Sequence, residues 1–145
     1  MVQLSIANNG DYSDITSFYQ GCGYSCQLYE SDLVIQAREN GEVVGAVRLC
    51  QEEGKLVLRG MYVIEEKRGS GIGSALLHEA SSEIGHRECW CIPYTPLVEL
   101  YGRGGFQKAH KGTEPSFLLN RLARYVATGK SVVLLVRPGN RHVVV

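Results

Sequence analysis

The stretch Arg68-Gly69-Ser70-Gly71-Ile72-Gly73-Ser74 joins a strand pattern over Lys55 to Val63 to a helix pattern over Ile72 to Ile84, and its reading decides the fold. A turn so rich in glycine brings bare backbone N–H groups to a helix N-terminus. Reinforced by the positive end of the helix dipole, such groups hold a phosphate or pyrophosphate, and glycine admits the ligand where a Cβ would clash. The stretch therefore reads as a phosphate cradle.

Two familiar phosphate loops do not fit it. A nucleotide-hydrolysing P-loop requires a lysine after its last glycine, and Ser74 follows Gly73. The dinucleotide fingerprint G-x-G-x-x-G meets Ser74 at its final glycine when counted from Gly69, and Leu76 when counted from Gly71. What fits is Arg-x-x-Gly-x-Gly at Arg68, Gly71 and Gly73, after a strand ending in Met61-Tyr62-Val63. This pattern resembles the acetyl-CoA loop of the GNAT superfamily of N-acetyltransferases.

Two further segments are similar to that family. Leu100-Tyr101-Gly102-Arg103-Gly104-Gly105-Phe106 resembles its L-Y-x-x-x-G-F segment, and Val43-Val44-Gly45-Ala46-Val47-Arg48-Leu49 resembles the strand before the cofactor strand. Together the matches span most of Glu42 to Lys108. The resemblance implies an α/β fold with a mixed, mostly antiparallel central sheet, flanked by helices and built around a central βαβ cofactor unit. It also implies acetyl-CoA as co-substrate. Backbone groups of Met61, Tyr62 and Val63 would pair with the pantetheine arm, while Arg68, Gly69, Ser70, Gly71, Ile72, Gly73 and Ser74 would hold the pyrophosphate. Tyr101 would be the donor to the departing thiolate.

Composition bounds the rest. With 145 residues and 16.0 kDa, one domain over 1–145 is expected, large enough for a core without metal or disulfide staples. Basic and acidic side chains balance at 15 each, so no global field draws in nucleic acid or an anionic membrane. No apolar run approaches the ~20 residues that span a bilayer, and Met1-Val2-Gln3-Leu4 lacks the opening of a signal peptide, so the cytoplasm is the expected compartment. Cys22, Cys26, Cys50, Cys89 and Cys91 do not match paired zinc clamps, and no metal is expected. Alternation puts Cys89 and Cys91 on one face of an apolar strand, as small buried hydrophobes.

Along the chain, Leu4 to Ala7 reads as a strand and Asp11 to Phe18 as a helix. Leu33 to Arg38 and Val43 to Cys50 are strands joined at Asn40-Gly41, and with Leu56 to Val63 they form an antiparallel meander. Glu88 to Ile92 reads as a strand returning parallel to the cofactor strand, and a helix over Pro96 to Arg103 leads to a strand beginning at Phe106. Thr113-Glu114-Pro115 opens a further helix, a departure from the simplest family layout, with Leu118, Leu119, Leu122, Tyr125 and Val126 on one face. Ser131 to Arg137 reads as a doubly buried strand. The tail His142-Val143-Val144-Val145 either pairs with a sheet edge or a second copy, which leaves room for a homodimer, or frays.

The expected reaction is acetyl transfer to a primary amine of a small metabolite or amino acid, by direct attack in a ternary complex. A neutral amine is required, and amine pKa values of about 8 to 10.4 call for a base or a water chain. The family often places a glutamate on the cofactor strand, but Lys55-Leu56-Val57-Leu58-Arg59-Gly60-Met61 carries no carboxylate. The base is therefore unassigned, with Glu52, Glu53, Glu65 and Glu66 nearby in sequence. Gly60 marks either a bulge that splays the sheet or a point of close packing. Arg48 and Arg59 are expected opposite each other on adjacent strands if the turn is tight, where an anion between two arginine forks would relieve their repulsion; they are assigned to an acceptor carboxylate, with two solvated arginines as the alternative. Two alternatives stand beside this reading. One is acetylation of protein N-termini or lysines, which needs an open groove, and the other is a catalytically silent acyl-CoA-binding module, suggested by the missing glutamate.

Overall fold

The computed structural model describes residues 1–139, so the tail His142–Val145 lies outside the described residues. A seven-stranded mixed sheet carries the chain, with β1 (Gln3–Ile6), β2 (Leu33–Glu39), β3 (Glu42–Glu52), β4 (Lys55–Val63), β5 (Cys89–Cys91), β6 (Gln107–Lys108) and β7 (Leu135–Arg137). Its spatial order is β1-β2-β3-β4-β5-β7-β6. All neighbours are antiparallel except β4 and β5, which run parallel, as the βαβ reading requires. The helices are α1 (Tyr12–Gly21), α2 (Ile72–Ile84), α3 (Val98–Arg103) and α4 (Ser116–Ala127).

Turn chemistry sets the meander. Asn40 and Gly41 both take positive φ (53° and 79°), the geometry whose twist matches a two-residue hairpin. Glu53 and Gly54 repeat it at the next turn. The register that follows places Arg48 directly opposite Arg59.

Helices cover both faces, so the strands are buried on both sides and read as apolar runs. Ile35, Val47, Leu49, Leu56, Leu58, Cys89, Cys91 and Leu135 point to one side, against Ile72, Leu76, Leu77, Ala80 and Ile84 of α2 and Tyr101 of α3. Their strand neighbours point to the other. There Val34 and Ala46 meet Ile15 and Tyr19 of α1, while Val57, Trp90 and Val136 meet Leu118 of α4. Burial pushes the Cys50 and Cys89 thiols up to about 12, and Cys91 well above its ordinary value. These cysteines are uncharged packing groups rather than nucleophiles.

Two expectations need correction. The last strand is shorter than Ser131 to Arg137: Val132 makes only an isolated bridge to Tyr94, and regular pairing begins at Leu135. Pro93, opposite this segment, has no N–H to give, and only its carbonyl is used, by the Val133 amide at 3.1 Å. The apolar face of α4 is also narrower than read. Leu118 is fully buried, but Leu119 and Val126 are 40% and 55% exposed. At 3.6 residues per turn these two lie about 80–100° around the helix from Leu118, whereas Arg121, Leu122 and Tyr125 lie within about 60° of it. The inward stripe thus includes an arginine.

Candidate active site

Gly60 is the pivot of the site. Arg59 pairs with Arg48 and Tyr62 with Ala46, so Gly60 and Met61 together oppose Val47, forming a β-bulge in β4. Gly60 has φ 66°, and a Cβ there would meet the Tyr19 hydroxyl at 3.0 Å and the Tyr24 ring at 3.1 Å. Bulge and close packing are therefore both present. The Tyr19 hydroxyl donates to the Gly60 carbonyl at 2.8 Å, which ties the bulge to α1. Tyr19, Tyr24 and Tyr62 pack ring to ring around it, with centroids 5.0 to 6.1 Å apart.

Beyond Val57↔Trp90 and Leu58↔Cys91, β4 and β5 no longer pair. The gap between them opens into a cavity of about 610 Å³ lined by Gly60, Met61, Tyr62 and Val63 on one side and Ile92, Pro93 and Tyr94 on the other. Unpaired strand backbone at such a gap is suited to an extended ligand that adds main-chain-like hydrogen bonds.

At the far end of β4 lies the glycine turn. Gly71 is the N-cap of α2 with φ 90°, and no side chain caps the helix. Its first amides are therefore free to meet an anion. Gly69, Gly71 and Gly73 each face open space where a Cβ would sit. Arg68, Gly69, Ile72 and Gly73 line the cavity, although the Ile72 side chain itself belongs to the core. Gly71 shapes the turn behind them. The Ser70 hydroxyl donates to the Lys67 carbonyl and Arg68 Nε to the Val63 carbonyl at 3.2 Å, so both brace the turn. Ser74 is an exposed residue of the first turn of α2.

Tyr101 lines the middle of the cavity from α3. Its ring stands edge-on to Phe106 at 5.9 Å, and its hydroxyl has no hydrogen-bond partner among the described residues. Burial, with a smaller push from Cys91, holds its phenol well above the ordinary range. At neutral pH it is a proton donor.

The side of the cavity before the bulge is made of charged side chains. Arg48 is 4% exposed and pairs with Asp32 at 3.3 Å, while also donating to the Tyr24 hydroxyl at 2.5 Å. Its Nε is buried with no partner among the described residues. Arg59 pairs with Glu52 at 2.9 Å, and Arg121 of α4 reaches the same carboxylate at 2.8 Å. Two internal carboxylates, Asp32 and Glu52, thus offset the repulsion between the facing arginines. Arg59 lines the main cavity, and both arginines line an adjoining polar groove with Tyr24, Asp32 and Glu52.

The four glutamates near β4 are now located. Burial raises the Glu52 carboxyl, but hydrogen bonds and charge from Arg121 and Arg59 outweigh it and hold Glu52 below the usual range. It is a structural anion, poorly suited to accept a proton. Glu53, Glu65 and Glu66 are exposed, and among the described residues no carboxylate lines the main cavity. Among the described residues no group of three or more His, Cys, Asp or Glu is placed to hold a metal ion. Sequence reasoning missed Tyr24, Tyr94, Arg121, Tyr125 and Lys130, all of which line the cavity. The available signal was Arg121 and Tyr125, four apart on the inward stripe of an apolar helix.

A bulged strand, a splayed parallel neighbour and an uncapped glycine-led helix define an acyl-CoA-dependent acetyltransferase fold. Residues 30–108 match the profile of the acetyltransferase (GNAT) domain, and the chain belongs to that family. The fold is also that of the ribosomal-protein-S18-alanine N-acetyltransferase from Escherichia coli, with a TM-score of 0.72, 17% identity, and 98% of this chain and 96% of that one covered. A GNAT-family acetyltransferase from Streptococcus pneumoniae gives 0.69 at 16% identity over 97% and 100%. N-acetylglutamate synthase from Neisseria gonorrhoeae, solved with coenzyme A and N-acetyl-glutamate, gives 0.66 at 18% identity over 97% of this chain and 36% of that one. No curated protein sequence matches the chain.

Proposed function

We propose that the chain is a single GNAT domain over 1–145 that transfers an acetyl group from acetyl-CoA to the primary amine of a small metabolite or amino acid. The observation that carries this reading is the continuity of one cavity from the uncapped start of α2, along the splayed end of β4, past Tyr101, to the side chains of Arg59 and Tyr125. Gly69 to Ser74, with Arg68, receive the pyrophosphate at the helix N-terminus, and the backbone of Met61, Tyr62 and Val63 receives the pantetheine arm. Acetyl-CoA supplies the activated acyl carbon. The bulge at Gly60 turns backbone amides toward the place where negative charge develops on the acyl oxygen.

The acceptor nitrogen forms its bond to the acyl carbon as the carbon–sulfur bond breaks, and the Tyr101 hydroxyl gives its proton to the departing sulfur. The amine's own proton leaves through water, since among the described residues no cavity carboxylate stands ready to take it. Arg59 presents the acceptor with a cation from the cavity wall, and Arg48 supports it from the adjoining groove by orienting Tyr24. The reaction requires no metal, no nucleic acid and no membrane surface. Balanced charge and five free cysteines fit a cytoplasmic protein. A homodimer is compatible with the outer edge of β1, which among the described residues pairs with β2 alone.

Single-turnover release of free CoA thiol with a panel of primary amines tests this. Amine-dependent release with recovery of the N-acetyl product is expected. Tight acetyl-CoA binding without release for any amine or peptide N-terminus would instead identify a silent binding module.

A further inference from the structure

Among the described residues, five cations and no carboxylate line the main cavity, and the cations fall into two groups. Lys67 and Arg68 flank the glycine turn. Arg59, Arg121 and Lys130 stand at the other end, before the bulge, and the four residue steps from Arg59 to Val63 separate the groups by about 13 Å. The first group suits the phosphates of the cofactor. The second lies on the acceptor side, where those phosphates have no reason to reach.

The charges of the second group do not cancel. Glu52 ties Arg59 and Arg121 from the adjoining groove, so three cations meet one carboxylate and two positive charges remain. Lys130 is the least committed. Its ammonium rests 4.9 Å above the Tyr125 ring, with no carboxylate in ion-pair range among the described residues. A tyrosine face orients an ammonium without neutralising it. The Tyr125 hydroxyl in turn lies 3.5 Å from Arg59, so one aromatic ring links the free cation to the tied pair.

We propose that Lys130, with Arg121 and Arg59 behind it, forms an anion subsite that selects a primary amine bearing a carboxylate. This deepens the acetyltransferase reading and rests on it. Lys130 supplies the mobile ion pair, and the Arg59–Glu52–Arg121 cluster supplies a fixed positive surface that an uncharged amine would leave unused. The subsite joins Arg59 of β4 to Arg121 of α4, the helix inserted between β6 and β7, and to Lys130 just beyond the end of that helix.

The test compares matched amines, L-phenylalanine with phenethylamine and 5-aminovalerate with pentylamine, in wild type and Lys130→Ala. Lys130 is exposed, so its loss leaves the fold intact. In wild type the carboxylated member of at least one pair is favoured in kcat/KM by about tenfold or more at low salt. Lys130→Ala removes most of that preference through KM, Lys130→Arg restores it, and the acetyl-CoA Kd is the same in all three. Equal use of both members in wild type overturns the subsite, and so does a Lys130→Ala loss shared equally by both members or expressed in acetyl-CoA affinity. A preference for phosphoethanolamine over every carboxylate overturns the carboxylate assignment. A readout without turnover separates this proposal from the reaction itself: calorimetry of N-acetyl-amino acids against CoA-loaded protein. Lys130-dependent binding with no CoA release from any amine upholds the anion subsite while removing the transfer reading. Absence of both removes the subsite.

Discussion

The two ends of the cavity are built from different materials. The end proposed for the cofactor is made of backbone: an uncapped helix start, three glycines facing open space and a strand whose edge has been freed by a bulge. The end proposed for the acceptor is made of side chains brought from four separate segments, with Tyr24 before β2, Arg59 on β4, Arg121 and Tyr125 on α4, and Lys130 just beyond it. A backbone site demands particular residues at fixed spacing, because only glycine tolerates the geometry. A side-chain site demands only that distant residues converge. The first kind constrains local sequence tightly, and the second constrains it hardly at all.

The largest expected effect probes the backbone end. Gly73 has ordinary helical φ and open space at its Cβ position, unlike Gly71, whose φ of 90° would add strain to any substitution. Gly73→Glu therefore fills the cradle with a like-charged side chain while leaving the helix favourably charged at its N-terminus. Acetyl-CoA affinity in calorimetry should fall about 10²-fold or more, roughly 3 kcal/mol, with an unchanged circular dichroism spectrum. Unaltered affinity in the folded variant would break the distinction between the two ends.

Tyr101→Phe comes next. It keeps the ring against Phe106 and removes the donor, so kcat should fall by about 10²-fold while the acetyl-CoA Kd holds. Wild-type kcat, with thioester chemistry established as the limiting step, would reduce Tyr101 to packing.

At the acceptor end the expected change is in stability and depends on pH. The Glu52 carboxyl is held below its usual range in the folded chain, so the stabilisation it brings is present above the unfolded value of about 4.3 and disappears as pH falls through the folded one. Glu52→Gln should be less stable than wild type by about 2 kcal/mol at pH 7 in urea titration, because Arg59 and Arg121 lose their shared partner. The two proteins should converge as pH drops below about 4. A constant gap across that range would show that packing, not charge, is what Glu52 contributes.

The smallest effect sharpens the boundary of α4. Val126→Ser should change stability by less than about 0.5 kcal/mol, against about 2–5 kcal/mol for Leu118→Ala on the buried side. Comparable losses would mean that the exposed side of α4 is covered.

Much of this molecule was legible from local sequence. Strand β4 and helix α2 occupy the residues their patterns marked, the tight turn at Asn40-Gly41 is present, and the facing of Arg48 and Arg59 follows from the next hairpin. Each of these rests on short-range rules: alternation, helical periodicity, turn residues that accept positive φ. Tyr101 and the glycine turn were legible because they sit in spaced motifs. The partners of the arginines were not. Asp32 reaches Arg48 across 16 residues and Arg121 reaches Glu52 across 69, and no periodicity spans such distances.

The sequence by itself determined the fold class, the glycine turn and the family, because those depend on backbone geometry that few residues permit. Only the tertiary structure decided which face of α4 turns inward, how the facing arginines are neutralised and where an unneutralised lysine remains. Packing chose among several faces that an amphipathic helix offers, and charge pairing was settled by which side chains the sheet and α4 brought within about 3 Å of one another.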